Sequence, residues 1–323
     1  MQKSSIKIIF FGTSDFAAPV LEALVKANYD VMAVITVPDK PVGRKQILTH
    51  PPIKLAAQKL GLNVLQPEKL KGNKEFLNTL NTKYLIHDTA LGVVAAYGKL
   101  IPPEIFNLPK HGTLNIHPSL LPKYRGPSPI QIAILNGDTE TGITIMKVDE
   151  EMDHGNLVSS CQLLVSSQDN YEILSKKMAE LGAELLIKIL PDYLAGKIKL
   201  QPQDHAQATF TKKFTADDGE IKPDDTPEQA YNKIRALNPE PGTYFWINKN
   251  NKKTRLKILE VEPLSYLEAQ PLSGGLFVKN GQLILGLKNG YLMLKTVQPE
   301  GKKMMSGVNF ARGYGKMLQL PHG

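Results

Sequence analysis

The sequence predicts an α/β fold with a doubly wound, mostly parallel Rossmann-like sheet, followed by a smaller C-terminal OB-like β-barrel. The first half of the chain alternates short apolar runs, typical of buried parallel strands, with segments of helical periodicity. The last third contains short strand-like runs separated by Asn-Gly pairs at 280–281 and 289–290, which favour antiparallel hairpins. A length of 323 residues suits two domains rather than one small core.

The strands and helices of the first half follow from these patterns in chain order. Strands are predicted over residues 6–12, 31–37, 62–65, 91–97, 112–117 and 141–148. Helices are predicted after Ser14 or Asp15, either of which can cap a helix, and over residues 51–60, 130–135 and 171–194. This alternation predicts the parallel sheet. Neither a G-x-G-x-x-G fingerprint nor a G-x-x-x-x-G-K-[ST] loop follows the first strand, so no dinucleotide or ATP site is predicted.

The last third has a different organisation. After a predicted helix at 227–237, strands are predicted over residues 242–247, 255–261, 275–278, 283–286 and 291–297. Small barrels of this kind often bind oligonucleotides. We therefore expect a catalytic domain over residues 1–195, a polar linker over 196–213 that contains Pro and Gln, and a barrel domain over 214–323.

Composition and charge limit the classes of function. No apolar run approaches the roughly 20 residues that span a bilayer, and no signal peptide is recognisable, so no membrane contact is expected. The single cysteine, Cys161, allows no internal disulfide and suits the cytoplasm. Residues 210–323 hold 17 Lys/Arg and 11 Asp/Glu, which gives +6 of the net charge of +8. This excess favours an anionic partner, although a lysine-rich surface explains the charge equally well. Because no exposed apolar stripe is evident, we expect a monomer.

Three polar residues stand where predicted strands end. Asn115 and His117 alternate along strand 112–117, so their side chains share a face, and Asp153 follows the next strand. An imidazole can take a proton near neutral pH, a carboxylate can favour the protonated ring, and an amide N–H can stabilise an oxyanion. The trio fits acyl-type transfer to an amine without a covalent enzyme intermediate. On spacing alone, Asn115 and His117 fit equally well as residues that satisfy backbone groups at a strand end.

One basic loop, residues 38–46, follows the second predicted strand and is longer than a typical βα loop. Ligands of open α/β sheets bind outside the carboxyl ends of the strands, so the loop is a candidate substrate clamp. A solvated surface loop is the alternative.

Residues 112–126, which contain Asn-x-His followed by Ser-Leu-Leu-Pro, resemble the hallmark of 10-formyltetrahydrofolate-dependent formyltransferases. Residues 152–155 are similar to the aspartate-and-glycine motif of that family. Further stretches that resemble it are residues 11–17, 38–44, 94–98, 142–146, 234–239 and 298–304, so the resemblance covers nearly the whole chain. His154 and Asn156 depart from the family pattern, which tends to have Thr and Asp at these positions.

The resemblance implies formyl transfer from 10-formyltetrahydrofolate, as co-substrate, with Asn115, His117 and Asp153 catalytic and no metal. The residues that it implies for the folate site are Ser119, Leu120, Leu121, Pro122, Tyr97 and Gly98. The resemblance also implies that the accepting amine belongs to methionyl initiator tRNA, held at its acceptor stem, and the basic loop and basic last third agree with this. The residues expected to contact the tRNA are Lys40, Arg44, Lys45, Lys302 and Lys303.

Three other functions stay open at this point. They are formyl transfer to a small acceptor, such as a purine precursor ribonucleotide or a nucleotide-linked amino sugar, RNA binding without catalysis, and hydrolysis that releases formate. The basic loop and barrel argue against a small acceptor, and the intact trio argues against a non-catalytic protein.

Overall fold

The computed structural model describes residues 6–43, 46–84, 90–249, 252–264 and 275–315. The chain divides into two compact units. The first comprises Met1–Pro129, Glu140–Val165 and Ile173–Thr211, and the second comprises Ile130–Thr139, Ser166–Glu172 and Lys212–Gly323. Residues 196–211 of the predicted linker, 196–213, thus belong to the first unit. Residues 130–139 and 166–172 of the predicted catalytic domain, 1–195, belong to the second unit. Within the described ranges, no helix is both long and apolar enough to cross a membrane.

The first unit is built on a seven-stranded sheet. Its strands, together with a separate hairpin of β3 and β4, are β1 (Lys7–Gly12), β2 (Asp30–Ile35), β3 (Lys40–Val42), β4 (Ile47–Thr49), β5 (Val64–Leu65), β6 (Leu91–Ala95), β7 (Thr113–His117), β8 (Glu140–Lys147) and β9 (Leu157–Leu164). The sheet order is β5-β2-β1-β6-β7-β8-β9. The first five strands in that order pair in parallel, whereas β7–β8 and β8–β9 are antiparallel. The order reverses direction between β1 and β6, which creates the crevice where such sheets bind ligands.

The helices up to residue 194 are α1 (Ala17–Lys26), α2 (Pro52–Lys59), α3 (Lys74–Thr82), α4 (Pro103–Phe106), α5 (Pro129–Leu135) and α6 (Tyr171–Leu194). The sequence prediction missed α3 and α4. A cap marks the start of α3, because the Asn73 side chain accepts a hydrogen bond from the Phe76 N–H. Only Phe76 and Leu80 of this helix are buried, which explains its weak apolar signal.

Packing fixes β7 from one side. Gly182 of α6 lies so close to the strand that an added Cβ would be 2.7 Å from Cγ2 of Ile116. Because side chains alternate along a strand, Asn115 and His117 point to the opposite face. The helix thus holds the strand that carries two of the predicted catalytic residues.

The second unit contains an antiparallel sheet and two helices that follow residue 226. These elements are α7 (Pro227–Leu237), β10 (Thr243–Lys249), β11 (Lys252–Pro263), β12 (Gly275–Lys279), β13 (Gln282–Leu287), β14 (Gly290–Pro299), β15 (Met305–Ser306) and α8 (Gly307–Tyr314). The order is β10-β11-β14-β13-β12, with β15 on β14. Irregular register between β11 and β14 bends the sheet. Among the described residues no pairing closes β12 onto β10, so the sheet is a curled half-barrel.

The predicted hairpin turns are present in this unit. Asn280 and Asn289 have left-handed φ values of 51° and 63°, as turns of the Asn-Gly type require. The apolar side chains of the sheet meet α7 and α8 in a separate core that includes Ile234, Leu285 and Phe310. The predicted fold class, a mostly parallel α/β sheet followed by a smaller antiparallel β-domain, is confirmed.

Candidate active site

His117 closes the carboxyl end of β7 and is only 4% exposed. Its Nε2 lies 2.9 Å from the backbone oxygen of Tyr124. A carbonyl oxygen can only accept, so Nε2 carries the hydrogen and donates it. Nδ1 is therefore the ring nitrogen that can take up a further proton.

Asp153 brings a carboxylate to both residues at the end of β7. Its Oδ1 lies 3.5 Å from Nδ1 of His117 and accepts a 3.3 Å hydrogen bond from Nδ2 of Asn115. Its Oδ2 accepts a 2.7 Å hydrogen bond from the backbone N–H of Gly126. The three residues singled out from the sequence thus lie together, on one face of the sheet.

Asp153 reaches this position by a different route from the one predicted. Since β8 runs antiparallel to β7, with Leu114 opposite Lys147, β8 ends beside the start of β7. The two strands therefore do not end at the same edge of the sheet, as parallel neighbours would. The loop after β8, in which Asp153 has a left-handed φ of 53°, returns the carboxylate to Asn115 and His117.

A glycine closes that loop. The N–H of Lys147 donates to the carbonyl of Asn156 at 2.8 Å, which seals the base of the loop. Gly155 lies directly against the strand, where an added Cβ would be 1.8 Å from the carbonyl oxygen of Lys147. Only glycine allows this approach, two residues from Asp153.

The Ser-Leu-Leu-Pro turn after β7 is held to β8 by hydrogen bonds with Thr144. The hydroxyl of Thr144 donates to the carbonyl of Ser119 at 2.7 Å and accepts from the N–H of Leu121 at 3.1 Å. The buried Ser119 hydroxyl donates to the Lys123 carbonyl at 2.5 Å. Leu120 packs on Gly142, and Pro122 is half-buried. These bonds fix the shape of the turn, and its contact with folate stays a prediction.

Tyr97 and Gly98 follow β6, at the crevice beside β1. The N–H of Gly98 donates to the Thr13 hydroxyl at 3.1 Å. The Tyr97 ring meets Phe11 edge-on at 5.7 Å, and its buried hydroxyl has no hydrogen-bond partner among the described residues. Burial raises the pKa of Tyr97 to about 12.

His154, one of the two departures from the family pattern, is engaged away from the trio. Its Nδ1 donates to the Asp149 carboxylate at 2.7 Å, and its ring stacks on His205 with centroids 4.0 Å apart. A cavity of about 320 Å³ adjoins the pair, and Phe106 and Val148 contribute to its wall. His117, not His154, faces Asp153.

Two buried residues that sequence reasoning missed support the Asp153 loop. They are Arg125 and Gln203, whose side chains are joined by hydrogen bonds. Arg125 belongs to the matched motif at 112–126, but nothing in that motif assigns it a role. Gln203 lies in the segment predicted as linker, where one glutamine among several carries no signal.

The residues predicted to contact tRNA lie on separate elements. Lys40 begins β3 and is exposed, and Lys302 and Lys303 are exposed after β14. Arg44 and Lys45 lie outside the described residues. Beside Lys40, the Asp39 carboxylate accepts hydrogen bonds from Lys54 and Gln66 at 2.6 and 2.7 Å, which anchors the base of the β3–β4 hairpin.

In the described ranges, no group of three His, Cys, Asp or Glu side chains could hold a metal ion.

The carboxylate, the amide and the imidazole that meet at the end of β7 can support acyl-type transfer to an amine, on a Rossmann-like sheet. Comparison with known proteins identifies the class. The family model described as formyl transferase matches residues 6–190, and the model of the formyl transferase C-terminal domain matches residues 213–315. The chain belongs to the formyl transferase family, as the resemblance predicted.

Curated relatives share most of the chain. A protein of Lactobacillus acidophilus named methionyl-tRNA formyltransferase is 42% identical over 310 residues, which cover 95% of each chain. A protein of the same name from Caldicellulosiruptor saccharolyticus is 42% identical over 308 residues, 95% of this chain and 96% of its own.

Solved structures share the fold. HypX from Aquifex aeolicus in complex with tetrahydrofolic acid superposes with a TM-score of 0.67 at 16% identity, over 98% of this chain and 48% of that one. An N-formyltransferase from Helicobacter canadensis, in complex with folinic acid and dTDP-3-aminofucose, gives 0.64 at 18% identity, over 91% and 99%.

Proposed function

We propose that this protein transfers the formyl group of 10-formyltetrahydrofolate to the α-amino group of methionyl initiator tRNA, for translation initiation. The observation that carries the proposal is the 42% identity, over nearly the full length of both chains, to relatives named methionyl-tRNA formyltransferase. The contacts among Asn115, His117 and Asp153 supply chemistry that suits the reaction.

10-Formyltetrahydrofolate supplies an activated formyl group on its N10 nitrogen. The amine nitrogen forms a bond to the formyl carbon and loses one proton, the bond from that carbon to N10 breaks, and N10 takes up one proton, so that tetrahydrofolate leaves as a neutral amine. Negative charge grows on the formyl oxygen as the new bond forms. One N–H of the Asn115 amide bonds to Asp153, and we assign the second N–H to that oxygen.

His117 accepts the proton that the amine loses. Because Nε2 is held as a donor to Tyr124, the proton goes to Nδ1. Asp153, 3.5 Å from Nδ1 and only 12% exposed, lies where its negative charge stabilises the protonated ring. The same carboxylate also orients Asn115, so Asp153 positions both the base and the group that donates to the oxyanion.

For the folate, we propose contacts from residues 119–122 and from Tyr97 and Gly98. The place of Tyr97 and Gly98 supports this assignment, because both follow β6 at the β1–β6 crevice, where open α/β sheets bind ligands.

The test of the catalytic assignment is a formylation assay with purified Met-tRNA and 10-formyltetrahydrofolate. Asn115→Ala, His117→Ala and Asp153→Asn are each expected to lower kcat by at least about 100-fold, the cost typical of lost oxyanion donors or general bases. His154→Ala is the matched control and should stay near wild type. Near-normal formylation by all three variants would sink the assignment. Transfer to an amino-sugar nucleotide instead of tRNA would favour the small-acceptor alternative.

For tRNA we propose contacts from Lys40, Arg44 and Lys45 of the basic segment 38–46 and from Lys302 and Lys303 in the second unit. Lysine and arginine at these positions suit phosphate contacts. Removing one phosphate contact should lower the slope of log KM against log salt by about 0.7–0.9. Lys302→Ala and Lys303→Ala test this, with the exposed Lys197→Ala as control. Equal slopes in all of these proteins would remove the two lysines from the interface.

A stack of cations and rings on β10 and β11 supports an RNA-facing surface in the second unit. The Arg255 guanidinium lies 4.5 Å from the ring of Tyr244 and 5.1 Å from that of Trp246, and Lys253 lies 4.6 Å from the Trp246 ring. Tyr244 is itself buried, so the groups that suit contact with nucleic acid are the exposed Lys253 and the partly exposed Trp246 and Arg255.

We further propose that the protein acts as a monomer in the cytoplasm, where translation initiation takes place. Light scattering at assay concentration should give the mass of one 35.7 kDa chain. The mass of a dimer would contradict the monomer. Recovery of the protein outside the cytoplasmic fraction of lysed cells would contradict the location.

A further inference from the structure

Residues 201–211 run beside the active-site loop as part of the first unit. The N–H of Arg125 donates to the carbonyl of Thr209 at 2.8 Å, and the N–H of Thr211 donates to the carbonyl of Arg125 at 2.7 Å. This pairing brings Gln203, which is 5% exposed, against the Arg125 side chain.

The orientation of the Gln203 amide is fixed by Arg125. Oε1 of Gln203 accepts from Nε of Arg125 at 3.1 Å and from Nη2 at 2.7 Å. Because a guanidinium has no acceptor, the amide oxygen must face it and the amide nitrogen must point the other way. Nη2 also donates to Nδ1 of His205 at 2.7 Å, which steadies the guanidinium.

The amide nitrogen of Gln203 is hydrogen-bonded to the loop that carries Asp153. Nε2 donates to the carbonyl oxygens of Asp153 and Gly155, at 2.9 and 2.8 Å. The amide thus makes all four hydrogen bonds of which it is capable. The two carbonyls lie on either side of His154, so the bonds restrain the peptide planes that follow Asp153.

Asp153 needs such restraint. Its φ of 53° lies in the left-handed region, which persists for a non-glycine residue only where the surroundings enforce it. We infer that Gln203, held by the buried Arg125, is a positioning residue that fixes the direction in which the Asp153 carboxylate meets His117. This role rests on the proposed function, in which Asp153 acts through His117.

The burial of Arg125 agrees with this role. A guanidinium that is 4% exposed has lost most of its hydration, which is costly without partners. Its side-chain partners here, Gln203 and His205, belong to the segment predicted as linker. The segment therefore contributes to the catalytic unit itself, and does more than connect two parts of the chain.

The first experiment compares Gln203→Leu with Gln201→Leu in the full-length protein. Gln201 has the same side chain two positions earlier, but that side chain is exposed. Gln203→Leu is expected to lower kcat by about 10- to 100-fold, because a shift of about 1 Å in a catalytic group costs about 100-fold. KM for both substrates should change little. Gln201→Leu should stay within about twofold of wild type, as surface changes usually do. Equal losses in both variants, or a loss confined to KM, would overturn the inference.

A double-mutant cycle separates positioning from a general structural effect. In an Asp153→Asn background, Gln203→Leu should cost little more, because the group that it positions is already disabled. Losses that simply multiply would show that Gln203 does not act through Asp153. Thermal unfolding is measured for each protein. If Gln203→Leu fails to fold, Gln203→Glu takes its place, since it keeps the partner of Arg125 but loses both donors.

Hydrogen exchange keeps the test independent of activity. Amides of residues 149–156 should exchange faster in Gln203→Leu than in the wild type or in Gln201→Leu. Unchanged exchange in Gln203→Leu would overturn the inference, even if the wild-type protein formylates Met-tRNA. A wild-type protein that formylates no Met-tRNA would instead refute the proposed function, and the exchange result would still decide whether Gln203 holds the loop.

Discussion

Replacing Gly155 with alanine is expected to lower kcat by about 100-fold. A Cβ at this position would lie 1.8 Å from the carbonyl oxygen of Lys147, and Cβ contacts below 3.0 Å are essentially never seen. The loop and the strand must therefore separate by about 1.2 Å or more. Asp153 lies two residues away, and a displacement of about 1 Å in a catalytic group costs about 100-fold, or about 2.7 kcal/mol of activation free energy.

Steady-state kinetics with both substrates, together with thermal unfolding, measures this effect. Gly313→Ala in α8 is the neutral control, because within the described residues no heavy atom beyond the adjacent backbone of its own helix and its two chain neighbours lies within 4 Å of the added Cβ. Gly219→Ala in the second unit is the structural control, since its Cβ would lie 1.9 Å from the Gly242 carbonyl oxygen, and it should lower the unfolding temperature. The reasoning is refuted if Gly155→Ala keeps wild-type kcat, or if its loss of kcat merely follows a loss of stability like that of Gly219→Ala.

Two further predictions concern groups with shifted pKa values. Tyr97→Phe should leave the unfolding temperature unchanged or raise it, because the removed hydroxyl is buried and has no hydrogen-bond partner among the described residues; a lower unfolding temperature would contradict this. Hydrogen bonds from Gln66 and then Lys54 lower the pKa of Asp39 from 3.8 to about 2, so its contribution to stability is present above pH 3.8 and is lost as the pH falls toward 2. Acid unfolding followed by circular dichroism should therefore be less steep in that window for Asp39→Asn, and identical curves for the two proteins would contradict this.

Local patterns account for the part of the fold that could be predicted. The apolar runs at 91–97 and 112–117 became β6 and β7, and the Asn-Gly pairs became hairpin turns, because each signal sits within the element that it specifies. The direction of β8 was not predictable in this way. Its apolar pattern is the same whether it pairs with β7 in parallel or antiparallel, and only the tertiary structure decides between them.

The candidate site was predictable for residues that act through their side chains, and not for the groups that hold them. His117 is oriented by the carbonyl of Tyr124, and Asp153 by the N–H of Gly126. Any residue supplies such backbone groups, so residue type gives no signal of their role.

Gln203 extends the same reasoning to a side chain. Its amide matters because it reaches two backbone carbonyls, at positions 153 and 155, while Arg125 dictates which way the amide faces. In the sequence it stands 50 residues after Asp153 in a polar segment, where glutamine is ordinary. Its role follows only from the pairing of residues 201–211 with the loop at 122–126. Substitutions in that segment should therefore be judged by the carbonyls they leave unpaired, because an unpaired buried carbonyl releases the loop that the carboxylate depends on.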